Sequence, residues 1–416
     1  MEQTKSFNIP KGLVMYAFRL VKANAGAAGV DEQSLADFEV HLKDNLYKLW
    51  NRMSSGSYFP PPVKAVPIPK KTKGVRILGV PTVTDRIAQM VVKLTFEPKV
   101  ERYFLPDSYG YRPNKSALDA IGVTRQRCWK YDWLVEYDIK GLFDNLDHSL
   151  LLKAVKKHTN DRMELLYIER WLKTPMQMPD GSLQEKTRGV MQGGVISPVL
   201  SNLFLHYVFD VWMQRNHPAK PWCRYADDGL AHCKTKTEAE QLLEGLRKRF
   251  AECGLELHPD KTKVVYCKDG SRRGKYTETQ FDFLGYTFRR RVVKNTKRNS
   301  MFVNFVPAVS KSALKSMRAR VRKSNIRNRT DLNLVEIAKW YNPILRGWIE
   351  YYGCYSKSSL YPLFRHFNKT LVAWVRRKYK RYQRHKTRAG RFMERISRKE
   401  PCLFAHWKIG MVGTFA

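Results

Sequence analysis

Short β-branched runs and longer helical stripes alternate unevenly along this chain. The first third opens on a helical pattern that gives way to a glycine-rich joint, NAGAAGVD (Asn24 to Asp31). In PPPVKAVPIPKKTKGVRILGVPTV, prolines punctuate β-branched runs around a Lys-Thr-Lys-Gly turn, which predicts a hairpin carrying Lys70, Lys71, Lys73 and Arg76. In the middle third WLVEYDIKGLFDNLDH predicts a strand running into a turn, TEAEQLLEGLRKRFAECGLEL an amphipathic helix closed by Gly254, and TKVVYCK a further strand. Between them lies PWCRYADDGLAHC (Pro221 to Cys233). Its Asp-Gly, flanked by alternating apolar residues, predicts a hairpin, because both residues tolerate the positive backbone angles of a tight turn. Beyond residue 309 helices dominate. Leu314, Met317 and Val321 fall at helical spacing, and Leu334, Ile337, Tyr341, Ile344, Trp348 and Tyr351 form one stripe. The class is α+β with an antiparallel hairpin, not a regular βαβ array.

Length turns these elements into two to four domains, since 416 residues exceed one ordinary core and 43% hydrophobic residues can fill several. Charge names a partner. The chain has 76 Lys and Arg against 38 Asp and Glu, a formal charge of +38, which calls for a polyanion, most simply nucleic acid. Residues 289–416 hold 32 of those cations against 5 acids, which places a boundary near RRRVVKNTKRNS (Arg289 to Ser300). A membrane surface is the weaker partner, since no signal-peptide core and no stretch of about 20 apolar residues is present. Seven scattered cysteines without a C-x-x-C pair argue for a reducing compartment and against a zinc module or a disulfide framework; Cys223 and Cys233 are expected as reduced core residues. In LVAWVRRKYKRYQRHK, Trp374, Tyr379 and Tyr382 interleave with basic residues. They either stack on bases or form the apolar face of a helix whose basic face is wet.

The candidate chemistry is carried by acids. On the plainest reading Asp227 and Asp228 only reverse the chain, but adjacent carboxylates repel and invite a divalent cation. Asp138 lies inside a β-like apolar segment, where a charge is costly unless it is paired or binds a metal. Three carboxylates from two strands suit two Mg²⁺ ions and in-line displacement at phosphorus, one ion activating the attacking hydroxyl and the other neutralising pyrophosphate.

These residues also carry a resemblance. Tyr225-Ala226-Asp227-Asp228 resembles the YXDD box of reverse transcriptases, and the order of motifs around it resembles that of group II intron-encoded reverse transcriptase/maturases. NAGAAGVD is similar to the N-terminal extension motif of that family, VPIPKKTKGVRILGVPTVTDRIAQ to its fingers hairpin, and SYGYRPNKSALDAI to its next block. EYDIKGLFDNLDH resembles palm motif A, GVMQGGVISPVLSNLFL motif B, HPDKTK motif D and FLGYTF the primer grip. WYNPILRGWIEYYG and FAHWKIG resemble the thumb, or maturase domain X.

The resemblance implies a right-hand polymerase fold: N-terminal extension and fingers over 1–130, palm over 131–290, and a basic helical thumb/domain X over 291–416. It implies Asp138, Asp227, Asp228 and Lys261 as catalytic residues. The metal ligands would be the three aspartates and the Ile139 carbonyl, with two Mg²⁺ (Mn²⁺ as a possible substitute). Asp144 and Asp147, close by, are expected instead to cap the following helix. Lys70, Arg76, Ile139, Phe143 and Gln192 would hold the dNTP. Phe143 would either exclude a ribose 2′-hydroxyl or serve as a plain core aromatic, and Lys261 would either protonate pyrophosphate or neutralise phosphate. Arg112, Phe283, Leu284, Gly285 and Tyr286 would touch template or primer, with closure of the fingers fold as the alternative for Arg112. The implied function is RNA-directed DNA polymerisation with assistance to intron splicing and mobility. The implied partners are intron RNA, an RNA template with a DNA or RNA primer, dNTPs and target DNA, in a bacterial cytoplasm. The chain stops soon after domain X, so a Cys/His-rich endonuclease is not expected in it. Two alternatives stand: an RNA-binding splicing cofactor with lapsed polymerase activity, and a retron- or repair-type reverse transcriptase.

Overall fold

A computed structural model of the protein describes residues 6–69, 74–295, 299–413 and 415; Lys70, Lys71 and Lys73 lie outside them. The strands, in chain order, are β1 (Val63–Pro69), β2 (Val75–Val80), β3 (Trp133–Asp138), β4 (Met176–Gln177), β5 (Leu183–Gln184), β6 (Trp222–Tyr225), β7 (Asp228–Cys233), β8 (Lys263–Tyr266), β9 (Gln280–Phe283), β10 (Tyr286–Asn295) and β11 (Ser300–Val309). They form three sheets of order β2-β1-β4-β5, β6-β7-β3-β8 and β11-β10-β9. The chain divides into two compact units, Met1–Ala120 with Val135–Val264, and Ile121–Leu134 with Val265–Ala416.

In the first unit the proline-punctuated segment forms the expected antiparallel hairpin of β1 and β2, in register Lys64 to Val80 through Pro69 to Val75. The helix Val83–Glu101 follows. Eleven of its residues are buried, and Thr82 caps it by accepting from the Asp85 amide. The glycine-rich joint has no regular structure of its own; Arg86 of that helix donates to the Ala25 and Ala27 carbonyls and pins it. The helix Lys236–Glu252 ends as expected, with Gly254 at φ +73°. Asp147 caps the helix His148–Lys156, whereas Asp144 does not cap it: Asp144 sits inside the short helix Leu142–Asn145.

The second unit contains the long hairpin β10–β11, in which the basic stretch Arg289 to Arg291 is strand, paired with Val306 to Asn304. Its helices Lys311–Lys323, Leu334–Tyr352, Tyr361–Lys378 and Lys386–Lys399 close over one core, which takes Met317 and Val321 from the first stripe and Ile337, Tyr341 and Trp348 from the second. Of the two roles open to the interleaved aromatics, stacking on bases fails for Trp374 and Tyr382. Both are buried, and the Trp374 indole N–H donates to the Arg329 carbonyl at 2.9 Å. Arg377, Lys380, Arg381 and Arg384 are left exposed, which is the wet basic face. Cys223 and Cys233 are buried free thiols, as expected.

Candidate active site

The strand β3 ends on Asp138, and the hairpin β6–β7, whose second strand neighbours β3, brings Asp227 and Asp228 to it. The reversal is not at Asp-Gly. Tyr225 pairs with Asp228, so the turn is Ala226-Asp227, with Ala226 at φ +56°, and Gly229 is already strand. Two close approaches give the glycines on either side another use. A side chain at Gly229 would fall 2.0 Å from the Tyr137 ring on β3, and one at Gly110 would fall 2.4 Å from the Ala226 nitrogen. Glycine is therefore used for clearance beside the turn and not within it.

Beneath the turn lies Arg224, fully buried. Its Nε and Nη2 donate to the two Asp210 carboxylate oxygens at 2.8 and 2.7 Å, Nη2 also to Ser108 Oγ at 2.9 Å, and Nη1 to Asn202 Oδ1 at 3.1 Å and the Ala226 carbonyl at 3.3 Å. Burial alone would raise the Asp210 pKa; the guanidinium reverses this and holds it below the ordinary carboxylate value. None of Arg224, Asp210, Ser108 and Asn202 is picked out by the motif pattern. The signal that could have found them is an arginine between Cys223 and Tyr225 in an apolar strand, which demands a carboxylate partner.

Around the carboxylates the field is mixed. Lys261 Nζ lies 2.9 Å from Asp138 Oδ2, placed there because Leu257 bridges Ile139 and the His258 amide donates to the Asp138 carbonyl. Burial, and behind it the charge of Asp138, raise the Asp227 pKa, against Arg76 and Lys261. Burial and the charges of Asp227 and Asp138 push Asp228 up to about 7, against Lys261. Among the described residues no three His, Cys, Asp or Glu side chains converge as ligands on one point. The donor set is nonetheless of the kind a hard cation takes: carboxylate oxygens crowded together and partly withdrawn from water.

A cleft of about 900 Å³ opens over Asp138, Asp227 and Lys261, while Asp228 is not among its lining residues. Arg76, Asp138, Ile139, Phe143, Gln192, Asp227 and Lys261 all line it. Asp144 lines it too, and accepts from Gln192 Nε2 at 3.3 Å. Sequence motifs gave no warning of Lys186 and Arg188, which add positive charge to the same wall. Arg112 is turned inward: its guanidinium donates to Glu101 Oε1 and to the Leu105 and Ser108 carbonyls. Phe283 to Tyr286 belong to the second unit, where Leu284 and Gly285, both at positive φ, turn β9 into β10. Phe283 and Tyr286 are buried, and the Tyr286 hydroxyl donates to the Tyr351 carbonyl.

Residues 68–288 match the model of the reverse transcriptase (RNA-dependent DNA polymerase) family, and residues 314–392 that of the group II intron maturase-specific domain. The chain belongs to the group II intron reverse transcriptase/maturase family. Among curated proteins it is 32% identical over 319 residues to Protein YkfC of Escherichia coli K12, covering 66% of this chain and 80% of that protein. It is 32% identical over 193 residues to the group II intron-encoded protein LtrA of Lactococcus lactis subsp. cremoris, covering 46% of this chain and 32% of that protein. The reverse transcriptase match takes in the whole cleft described above and the β9–β10 turn, and the maturase match takes in the helices Leu334–Tyr352 and Tyr361–Lys378 whole, most of Lys311–Lys323 and half of Lys386–Lys399. No described helix is long and apolar enough to cross a membrane.

Proposed function

We propose that this reverse transcriptase/maturase copies structured intron RNA into cDNA and assists splicing and mobility of that RNA, with the cleft over Asp138 as its nucleotide site. The observation that carries this is convergence: carboxylates from β3 and from the β6–β7 turn line one cavity of about 900 Å³ together with Arg76, Gln192 and Lys261. Asp138, Asp227, Asp228 and the Ile139 carbonyl would hold Mg²⁺, two ions by the chemistry of the donor set, with Mn²⁺ as a substitute. Bound there, the metal would polarise the attacking hydroxyl and neutralise the leaving pyrophosphate.

The protein's own residues do the rest. Arg76 offers a fixed cation to the triphosphate, a role that the sequence motif extends to Lys70. Phe143, half-buried on the cleft wall, fills the space a ribose 2′-hydroxyl would take. Gln192 packs on the nucleotide from the opposite loop. Lys261, held against Asp138 at 2.9 Å and lining the cleft, would neutralise phosphate charge or give up a proton there. Arg112 closes the fingers fold from within, and the Phe283–Tyr286 turn is offered as the primer contact. The exposed arginines and lysines of the second unit bind intron RNA and the template duplex, with target DNA as a further partner and the bacterial cytoplasm as the compartment.

The test is primer extension on an RNA template with Mg²⁺ and dNTPs. Asp227→Ala is expected to lose on the order of 10²-fold or more in rate. Unchanged activity in that variant would remove this cleft as the polymerase site.

A further inference from the structure

The run TVTDRIAQ (Thr82 to Gln89), at the start of the helix Val83–Glu101, contains four buried polar residues; Thr82 caps the helix and Arg86 pins the glycine-rich joint, which leaves Asp85 and Gln89 without a role. Asp85 and Gln89 are 1% and 3% exposed. Asp85 Oδ1 accepts from the Tyr58 hydroxyl at 2.9 Å and from Trp171 Nε1 at 2.8 Å; its Oδ2 accepts from Gln89 Nε2 at 2.9 Å. The far end of Gln89 does different work. Its Oε1 accepts from the Val195 amide at 2.7 Å and from the Ile196 amide at 3.4 Å.

Those two amides end the loop that presents Gln192 to the cleft. The near end of the loop is fixed separately, by the Gly79 amide donating to the Gln192 carbonyl at 2.7 Å. A glutamine amide can sit either way round, and nothing in its own shape decides which end faces the loop. Asp85 decides it. A carboxylate with two neutral donors on Oδ1 has only acceptor capacity left on Oδ2, so it draws the Gln89 NH₂ and leaves the Gln89 oxygen for the loop.

We infer that Asp85 and Gln89 are positioning residues for nucleotide binding: Asp85 sets the polarity of Gln89, and Gln89 holds the loop that carries Gln192 in the cleft. This rests on the cleft being the nucleotide site.

The order of donors and acceptors gives the inference a specific test. Asp85→Asn keeps an oxygen toward Tyr58 and Trp171 but sets an NH₂ against the Gln89 NH₂. Gln89 then either loses its partner or turns over and points a donor at the Val195 amide. Gln89→Glu sets two carboxyls together. The double variant D85N/Q89E restores the sequence of donors and acceptors with the two roles exchanged. In dNTP titrations of primer extension by the full chain, each single variant is expected to raise KM for dNTP about tenfold with a smaller fall in kcat, the scale of one or two lost buried hydrogen bonds. The double variant is expected to return to within about threefold of the parent. Hydrogen exchange of the Val195 and Ile196 amides should quicken in the singles and slow again in the double.

Gln89→Met leaves Asp85 with its other two donors and serves should Asp85→Asn fail to fold; it too should raise KM. Singles or Gln89→Met with the parent KM, or a double no better than the singles, would overturn the inference. If the parent chain itself extends no primer, the nucleotide reading falls instead, and the exchange rates still decide whether the pair holds the loop.

Discussion

Phe143 shows how little of a residue's role lies in its identity. The same aromatic could fill a core, but here it stands in the short helix Leu142–Asn145 with part of its ring on the cleft wall, two residues beyond the left-handed Gly141. Shortening it opens the space beside the sugar. Phe143→Ala is expected to admit ribonucleotides, narrowing the dNTP/rNTP ratio of kcat/KM by about 10- to 100-fold, measured by single-nucleotide extension. At this scale the sequence was informative wherever a residue acts through its own chemistry. Asp138 in an apolar strand and Lys261 in HPDKTK could be singled out without a fold. Arg112 could not be assigned, because whether an arginine faces outward or onto Glu101 depends on a contact made eleven residues back in the chain.

At the scale of elements, the hairpin β6–β7 depends on a buried ion pair that touches neither solvent nor cleft. Removing one partner of such a pair leaves the other charged and alone, so Arg224→Met is expected to destabilise the first unit by about 3–5 kcal/mol in chemical denaturation. The pH dependence follows from the direction of the Asp210 shift. Its folded pKa lies below the unfolded one, so its contribution is complete above the ordinary carboxylate value of about 4 and is lost as pH falls through the folded value. The acid limb of the parent stability profile should therefore weaken in Arg224→Met. Most elements were legible in the sequence because each is written locally: the β1–β2 hairpin in its prolines, the helix Lys236–Glu252 in its stripe and Gly254. The exact turn was not. Asp-Gly is a good turn pair by itself, and the Tyr137 ring that demands glycine at 229, within a strand, lies nearly a hundred residues earlier.

For the whole molecule, charge is the organising quantity. Of a formal +38, most falls in the last third, where Trp374 and Tyr382 turn inward and Arg377, Lys380, Arg381 and Arg384 outward. Binding to structured RNA should thus be dominated by displaced counterions. Affinity, measured by filter binding, is expected to fall on the order of 10³-fold between about 50 and 200 mM salt, with a linear log–log slope. A shallow slope would mean that few of these cations meet phosphate. Composition made the partner class legible, while the two compact units were not, since β3 and β8 each run across the division that compactness draws.

The clearance at Gly229 also bears on how such proteins are searched for and altered. A four-letter pattern ending at the second aspartate stops one position short of the tightest constraint in the hairpin. In a library randomised across 225–229, position 226 should accept residues that tolerate a left-handed backbone, whereas position 229 should return glycine alone. The gap between the strands that bear the carboxylates is set there by the side chain that is missing.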